Sequence, residues 1–412
     1  MNDLKKIKLG EILTESKVEA IDSSADKRIR VLLGVRGVVN RPIMKETSGA
    51  TKYFVRKKRQ FIYGKQNMHK GAFGIVPENL DGYSSSSDLP AFDIHKSCLP
   101  EWIIYFLRQN NFYLSLVDIA KGAATKRIQP KTLFEVEIPL PSLDIQASLI
   151  NNFIFKEEKH KKILSEISIQ KDLLSELKQS ILQKAIQGKL TKDWRDKNPN
   201  VEPARELLER IKAEKEQLVA DKKIKKEKSL SVIAEEKIPF DIPDSWVWAK
   251  LGDIGKSIIG LVYKPENVSD SGTPVLRANN INNYKLTQSN LIYVNSKVPD
   301  NKIAEKGDIL ICVRSGSKKL IGKSAVINQD GFSFGAFNTL YKSSFNPYVH
   351  LFLMSRLFTN QIDDEKSTGI NQLTQGILRN IIIPIPPVEE QFEIVKKVED
   401  LMQKCDQLEK EI

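Results

Sequence analysis

At 412 residues the chain is long for one domain, and a hydrophobic share of 41% provides for more than one core. Lys and Arg number 64 against 52 Asp and Glu, a net charge of +12, which points to a polyanionic partner, nucleic acid first. Three scattered cysteines (Cys98, Cys312, Cys405), four histidines without ligand spacing and no apolar run near the ~18 residues of a membrane span argue against a zinc site, a disulfide framework or a membrane segment. A soluble, cytoplasmic protein is expected, with no metal ligands.

In chain order, Lys8-Leu9-Gly10-Glu11-Ile12 opens a series of short β-branched and aromatic runs separated by Gly, Asn, Asp and Ser clusters. Phe61-Ile62-Tyr63 is one such strand, followed by a Gly64-Lys65 loop; Glu101 to Gln109 reads as a short amphipathic helix. Val136-Glu137-Ile138-Pro139-Leu140-Pro141 closes this first mixed α/β body, because proline removes a donor and restricts its neighbour. Beyond it Ile163, Ile167, Gln170, Leu174, Leu177 and Ile181 are spaced as a heptad seam, with Gly188 as the stop. A helix from Lys156 to Gln187 would be roughly 48 Å long, a span of roughly 14 base pairs of DNA. Glu202 to Lys228 is helical in pattern and dominated by charge, either a solvated arm or a helix leaning on another.

Pro239, Pro243 and Trp246 mark entry to a second body, and there the chain repeats itself at about 245 residues. Lys250-Leu251-Gly252-Asp253-Ile254 echoes the opening; Ile309 to Arg314 echoes the apolar run and its loop; Tyr348 to Leu357 echoes the helix. Ile381-Ile382-Ile383-Pro384-Ile385-Pro386 echoes the close, and Gln391 follows it as Gln146 follows Pro141. Ile394, Val398, Leu401, Cys405, Leu408 and Ile412 form a second seam. Antiparallel pairing of the two seams is expected, with the bodies at opposite ends of a helical rod.

Asp308 to Ile327 contains Gly322-Lys323-Ser324, the ending of a phosphate-binding P-loop. The spacing fails, since the position that should be Gly, with four residues between it and Gly322, is Ser317, Gly316 being one residue too early, and Ala-Val-Ile-Asn after the run reads as a strand rather than a helix. Asn346-Pro347-Tyr348 is one proline short of an adenine-methylation motif, Phe334-Gly335-Ala336 misses the cofactor loop, and Asp363-Asp364-Glu365-Lys366 has the wrong spacing for a nuclease metal site. No catalytic residue is assigned.

Several segments resemble the specificity subunit of type I restriction-modification enzymes over nearly the whole chain. Gly307 to Gly316 with Ile321 to Val326, and the variant Phe61-Ile62-Tyr63 with Gly71 to Pro77, are similar to a strand–loop–strand of that family's target recognition domains. Asp244-Ser245-Trp246-Val247-Trp248 looks like the entry to such a domain, Thr125-Lys126-Arg127-Ile128 like a recurrent segment, and Ser180 to Leu190 like the end of its first helical region. The resemblance implies an α/β (α+β) fold with two similar target recognition domains separated by long antiparallel coiled-coil helices, a pseudo-two-fold repeat. The expected boundaries are 1–142 and 241–386 for the recognition domains, 143–240 for a central helical spacer and 387–412 for a C-terminal helical region. It implies a non-catalytic subunit that binds double-stranded DNA at a bipartite target. Its partners would be two methyltransferase subunits carrying S-adenosylmethionine and two motor-endonuclease subunits carrying ATP and Mg chemistry, with no cofactor in this chain. The second seam is much shorter than the first, so it is either truncated or completed by another chain, which bears on docking of the second methyltransferase and on spacer length.

DNA bases are read by Arg, Lys, Asn and Gln, and phosphates by basic and hydroxyl side chains. The candidates in the first body are Lys65, Gln66, Asn67, His69 and Lys70, then Lys126, Arg127 and Gln129. In the second they are Arg277, Asn279 and Asn280, then Arg314, Ser315, Ser317, Lys318, Lys319 and Lys323. Matching Ala124 to Gly369 adds Asn371 and Gln372 opposite Lys126 and Arg127. The competing reading is a non-enzymatic coiled-coil interaction protein with two ligand-binding α/β heads and no DNA role.

Overall fold

The computed structural model describes residues 5–21, 25–42, 52–122, 125–222, 229–366 and 372–412, in two compact units, 1–165 and 166–412. In the first, the entering strand Lys6–Lys8 pairs antiparallel with the leaving strand Glu137–Pro139, Ile7 opposite Ile138. Between them lies a four-stranded antiparallel sheet in the order Leu13–Ser16, Ala91–Ile94, Phe61–Tyr63, Phe73–Ile75. Its aromatic face, Phe61, Tyr63, Phe73 and Phe92, is buried with Trp102 and Leu107 of helix Pro100–Arg108 and with Leu133. The Trp102 indole N–H donates to the Pro139 carbonyl (2.9 Å), tying that helix to the closing strand. Arg56 is buried beside the sheet and donates to Ser85 Oγ, the Ser16 carbonyl and the Leu89 carbonyl; burial lowers its pKa to about 10.

The second unit builds the same body. Val247–Lys250 pairs antiparallel with Ile382–Ile385, Ala249 opposite Ile383. Its sheet runs Lys256–Ile259, Asn338–Lys342, Ile309–Cys312, Ser324–Val326, again antiparallel throughout. The repeated Leu-Gly-acid-Ile segment has a local reason. Lys8 N–H donates to Glu11 Oε1 (2.8 Å) and Lys250 N–H to Asp253 Oδ2 (2.9 Å), each capping the turn that follows the entering strand. A Cβ on Gly10 would lie 2.9 Å from Phe134 Cβ, and one on Gly252 would lie 3.1 Å from Arg379 Cβ, so only glycine lets the small helices Pro130–Phe134 and Gln375–Asn380 approach. After each closing strand a buried glutamine clamps the chain: Gln146 Nε2 donates to the Pro141 carbonyl (2.8 Å) and Gln391 Nε2 to the Pro386 carbonyl (2.9 Å). The second body adds a mixed sheet in which Thr273–Leu276 runs parallel to Ser333–Phe334.

The long helix Leu143–Ile186 begins directly after Pro141, as the change of pattern there implies, and its first turns supply Gln146 and Ile150 to the first body's core. Its last turns lie antiparallel to helix Val388–Glu411. Lys178 Nζ meets Asp406 Oδ1 (2.9 Å) and Glu409 Oε2 (2.7 Å), while Lys397 Nζ reaches back to the Leu190 carbonyl (3.4 Å). Leu174 and Ile181 are buried in the seam with Ile394, Val398 and Cys405. Ile163, Leu177 and Leu408, also expected there, are exposed at 43%, 46% and 48%. A strict heptad drifts around a straight helix, and the buried positions of the last turns are instead extended by Leu182, Ala185 and Ile186, which share one core with the second body. Helix Ala204–Ala220 buries Ala204 and Leu207 in the same core, so the described part of the charged stretch leans on the second unit; residues 223–228 lie outside the described residues.

One buried charge joins these pieces. Glu390, with no exposed surface, accepts hydrogen bonds from Thr191 Oγ1 (2.6 Å), Trp246 Nε1 (2.8 Å) and the Arg195 guanidinium, whose other nitrogen donates to the Gly188 carbonyl (3.0 Å). Gly188 ends the long helix at φ +70°, and a Cβ there would sit 2.8 Å from Pro243 Cγ. Glu390→Ala leaves the Arg195, Thr191 and Trp246 donors unpaired, so the urea transition of the second unit is expected to lose about 3 kcal/mol or more. Ile145, which holds the same place before Gln146, is 46% exposed, and Ile145→Ala should change stability by no more than about 0.5 kcal/mol.

Candidate nucleic-acid interface

In the first body the loop between Phe61–Tyr63 and Phe73–Ile75 is closed by Gly64 N–H donating to the Ala72 carbonyl (2.8 Å). Three segments meet at Lys65: its N–H donates to the Asp88 carbonyl (3.0 Å) and its carbonyl accepts from Ile128 N–H (2.8 Å). A fourth joins through Gly34 N–H to the Lys70 carbonyl (2.9 Å) and Val35 N–H to the Gly71 carbonyl (2.8 Å). Gly71 is needed there, at φ +80° and with its would-be Cβ 2.7 Å from Val35 N. The fold therefore gathers both candidate groups of this body. Lys70, Lys126 and Gln129 are exposed, and Lys65, Gln66, Asn67, His69 and Arg127 are half-buried. His69 Nδ1 is buried without a protein partner, and burial, then Lys70 and Lys126, hold its imidazole below the ordinary pKa. Arg127 Nη1 lies 3.0 Å from Asp88 Oδ1.

The second body repeats this backbone pattern. Cys312 N–H donates to the Lys323 carbonyl (2.8 Å), Val313 N–H to the Phe337 carbonyl (2.9 Å) and Leu373 N–H to the Val313 carbonyl (2.8 Å). These bonds make Val313 the counterpart of Lys65, Arg314 of Gln66, Phe337 of Asp88 and Gln372 of Arg127. Arg314, Ser317, Lys318, Lys319, Gln372 and Asn279 are exposed; Arg277, Ser315 and Lys323 are half-buried; Asn371 lies outside the described residues. The Gly322-Lys323-Ser324 run is part of this loop. Gly322 N–H is taken by the Cys312 carbonyl (2.8 Å), and Ser324, fully buried, starts a strand rather than a helix. A phosphate would find no cradle of free N–H groups at that point.

Asn280 is a correction. It has no exposed surface: its amide donates to the Thr287 and Ser289 carbonyls (3.0 Å each) and its Oδ1 accepts from Arg277 N–H (2.9 Å), so it holds the Ile281–Leu286 hairpin region and does not reach a base edge. Sequence reasoning also missed Asp88 and Phe337. Phe337 is 58% exposed, with the Arg314 guanidinium 5.3 Å from its ring centroid. An aromatic residue inside a Gly-Ala-Phe-Asn turn was the available signal. Among the described residues no cluster of His, Cys, Asp and Glu is arranged to hold a metal, and no helix is long and apolar enough to cross a membrane.

Residues 243–412 match the family model described as the type I restriction modification DNA specificity domain. The type I restriction enzyme EcoAI specificity subunit of Escherichia coli is 33% identical over 241 residues, 56% of this chain and 40% of that protein. The EcoKI specificity subunit of Escherichia coli strain K12 is 33% identical over 175 residues, 40% of this chain and 38% of that one. The chain thus spans about two fifths of the length of these two relatives. The crystal structure of the HsdS subunit from Thermoanaerobacter tengcongensis aligns with a TM-score of 0.56 at 16% identity, covering 98% of this chain and 90% of that one, which shows a shared fold.

Asn280→Ala should unpair the Thr287 and Ser289 carbonyls and cost about 1–3 kcal/mol, seen as faster proteolysis of the 281–289 hairpin. Asn279→Ala, at an exposed neighbour, should leave both stability and cleavage unchanged.

Proposed function

With a type I restriction modification DNA specificity domain at residues 243–412, we propose that this chain is the DNA-specificity subunit of a type I restriction-modification system. Residues 1–142 would read one tract of a bipartite target and residues 241–386 the other. Residues 143–240 and 387–412 would act as spacer and as docking surface for methyltransferase and motor-endonuclease subunits. The chain itself is non-catalytic in this reading; S-adenosylmethionine, ATP and Mg belong to the partner subunits.

The observation that carries the proposal is a duplicated loop site. The same backbone bonds hold two different sets of Arg, Lys, Gln and Ser side chains at the ends of the same strands. A constant frame with variable polar tips suits the reading of two unrelated half-sites, because base edges are distinguished by side-chain donors and acceptors while the frame sets their register. The excess of cations supplies the phosphate attraction that any such reader needs.

A genome-wide map of adenine methylation with the gene present and deleted tests the proposal. One split motif, two defined tracts around a fixed gap, is expected to vanish on deletion; an unchanged map together with no co-purifying methyltransferase would overturn it in favour of a coiled-coil interaction protein. Binding of the purified chain to duplex DNA should weaken steeply with salt. If Lys318 and Lys319 each neutralise a phosphate, Lys318→Ala with Lys319→Ala should lower the slope of log affinity against log salt by about 2.

A further inference from the structure

The backbone pattern that relates the two bodies also relates two turns. Leu89 N–H donates to the Ser86 carbonyl (3.0 Å) and Asn338 N–H to the Gly335 carbonyl (2.9 Å), which makes Asp88 and Phe337 the third residue of equivalent β-turns. Aspartate is an ordinary turn residue; a phenylalanine more than half exposed is not. What the two share is an arginine. Asp88 Oδ1 is 3.0 Å from Arg127 Nη1, and the ring of Phe337 lies 5.3 Å beneath the Arg314 guanidinium. The arginines come from different segments. By the backbone matching, Gln66 and Arg127 hold in the first body the two positions that Arg314 and Gln372 hold in the second, so the arginine and the glutamine have exchanged places. Arginine pairs with guanine and glutamine with adenine in the major groove. A guanidinium fixed beforehand loses less freedom on binding than one on a free stem.

We propose that residues 88 and 337 are specificity-determining positioning residues, each orienting the base-reading arginine of its body, Arg127 through a carboxylate and Arg314 through an aromatic face. The proposal rests on the DNA-recognition reading above and adds which residues set base preference. Neither side chain is asked to touch DNA.

The test is selection from a library of random DNA duplexes by the full-length chain. Wild type should enrich two tracts. Asp88→Ala should reduce the preference at one position of one tract by about tenfold, and Phe337→Ala should do the same in the other tract only. The conservative variants separate orientation from bulk. Asp88→Glu and Phe337→Tyr should restore the preference, whereas Phe337→Leu, apolar but without a π face, should not. The exposure of both positions keeps folding out of the comparison, which a thermal melt of each variant checks. The proposal is overturned if either alanine variant leaves its tract unchanged, if one variant blurs both tracts, or if Leu serves as well as Tyr at position 337. Failure of the wild-type chain to enrich any tract would instead sink the DNA-recognition reading, and this inference with it.

Discussion

Each body depends on the antiparallel pairing of the strand that enters it with the strand that leaves it. Ile7 opposite Ile138 and Ala249 opposite Ile383 bring residues far apart in sequence into register, and the backbone hydrogen bonds of the pair hold entry and exit together. With entry and exit locked together, the four-stranded sheet, the small helix packed on a glycine and the glutamine clamp follow in the same order in both halves. A closed body of this kind tolerates wide variation in the loops between its strands, because the loops contribute little to its core.

The two halves part company where the helices begin. In the second unit Glu390 is a carboxylate with no exposed surface, held by three donors from two other segments. Such a site is costly if any donor is missing, and so it specifies one arrangement of the helix end, the entry segment and the C-terminal helix. Ile145 stands at the matching place in the first half and is largely exposed. The duplication therefore extends to the scaffold and stops at the contacts made by the helices.

The candidate interface illustrates how one frame carries two chemistries. Backbone bonds at Lys65 and Val313 are the same, whereas the side chains they present differ at every compared position: Gln66 against Arg314, Asp88 against Phe337, Arg127 against Gln372. Backbone geometry sets distance and direction; side-chain identity sets which donors and acceptors stand at the end. That division of labour is what a reader of two different half-sites would require.

Much of this organisation was legible in one dimension. The repeated Leu-Gly-acid-Ile and Ile-Pro-x-Pro segments, the proline boundaries, the Gly188 stop and the antiparallel helix pairing all rest on local rules of glycine, proline and apolar spacing that act over a few residues. The matching of Arg127 to Gln372 could also be read by alignment. Other features depend on residues that meet only after folding. Asn280 looks like any polar loop residue until the carbonyls of Thr287 and Ser289 close on it. Leu177 fits a heptad until the last turns of the helix join the second body's core and leave it outside. Glu390 and Asp88 have no local signature, and Phe337 only its place in a Gly-Ala-Phe-Asn turn, because what makes them matter is a partner up to 199 residues away in sequence. Short-range chemistry settles where elements start and stop; burial and long-range pairing decide which side chains remain free to act.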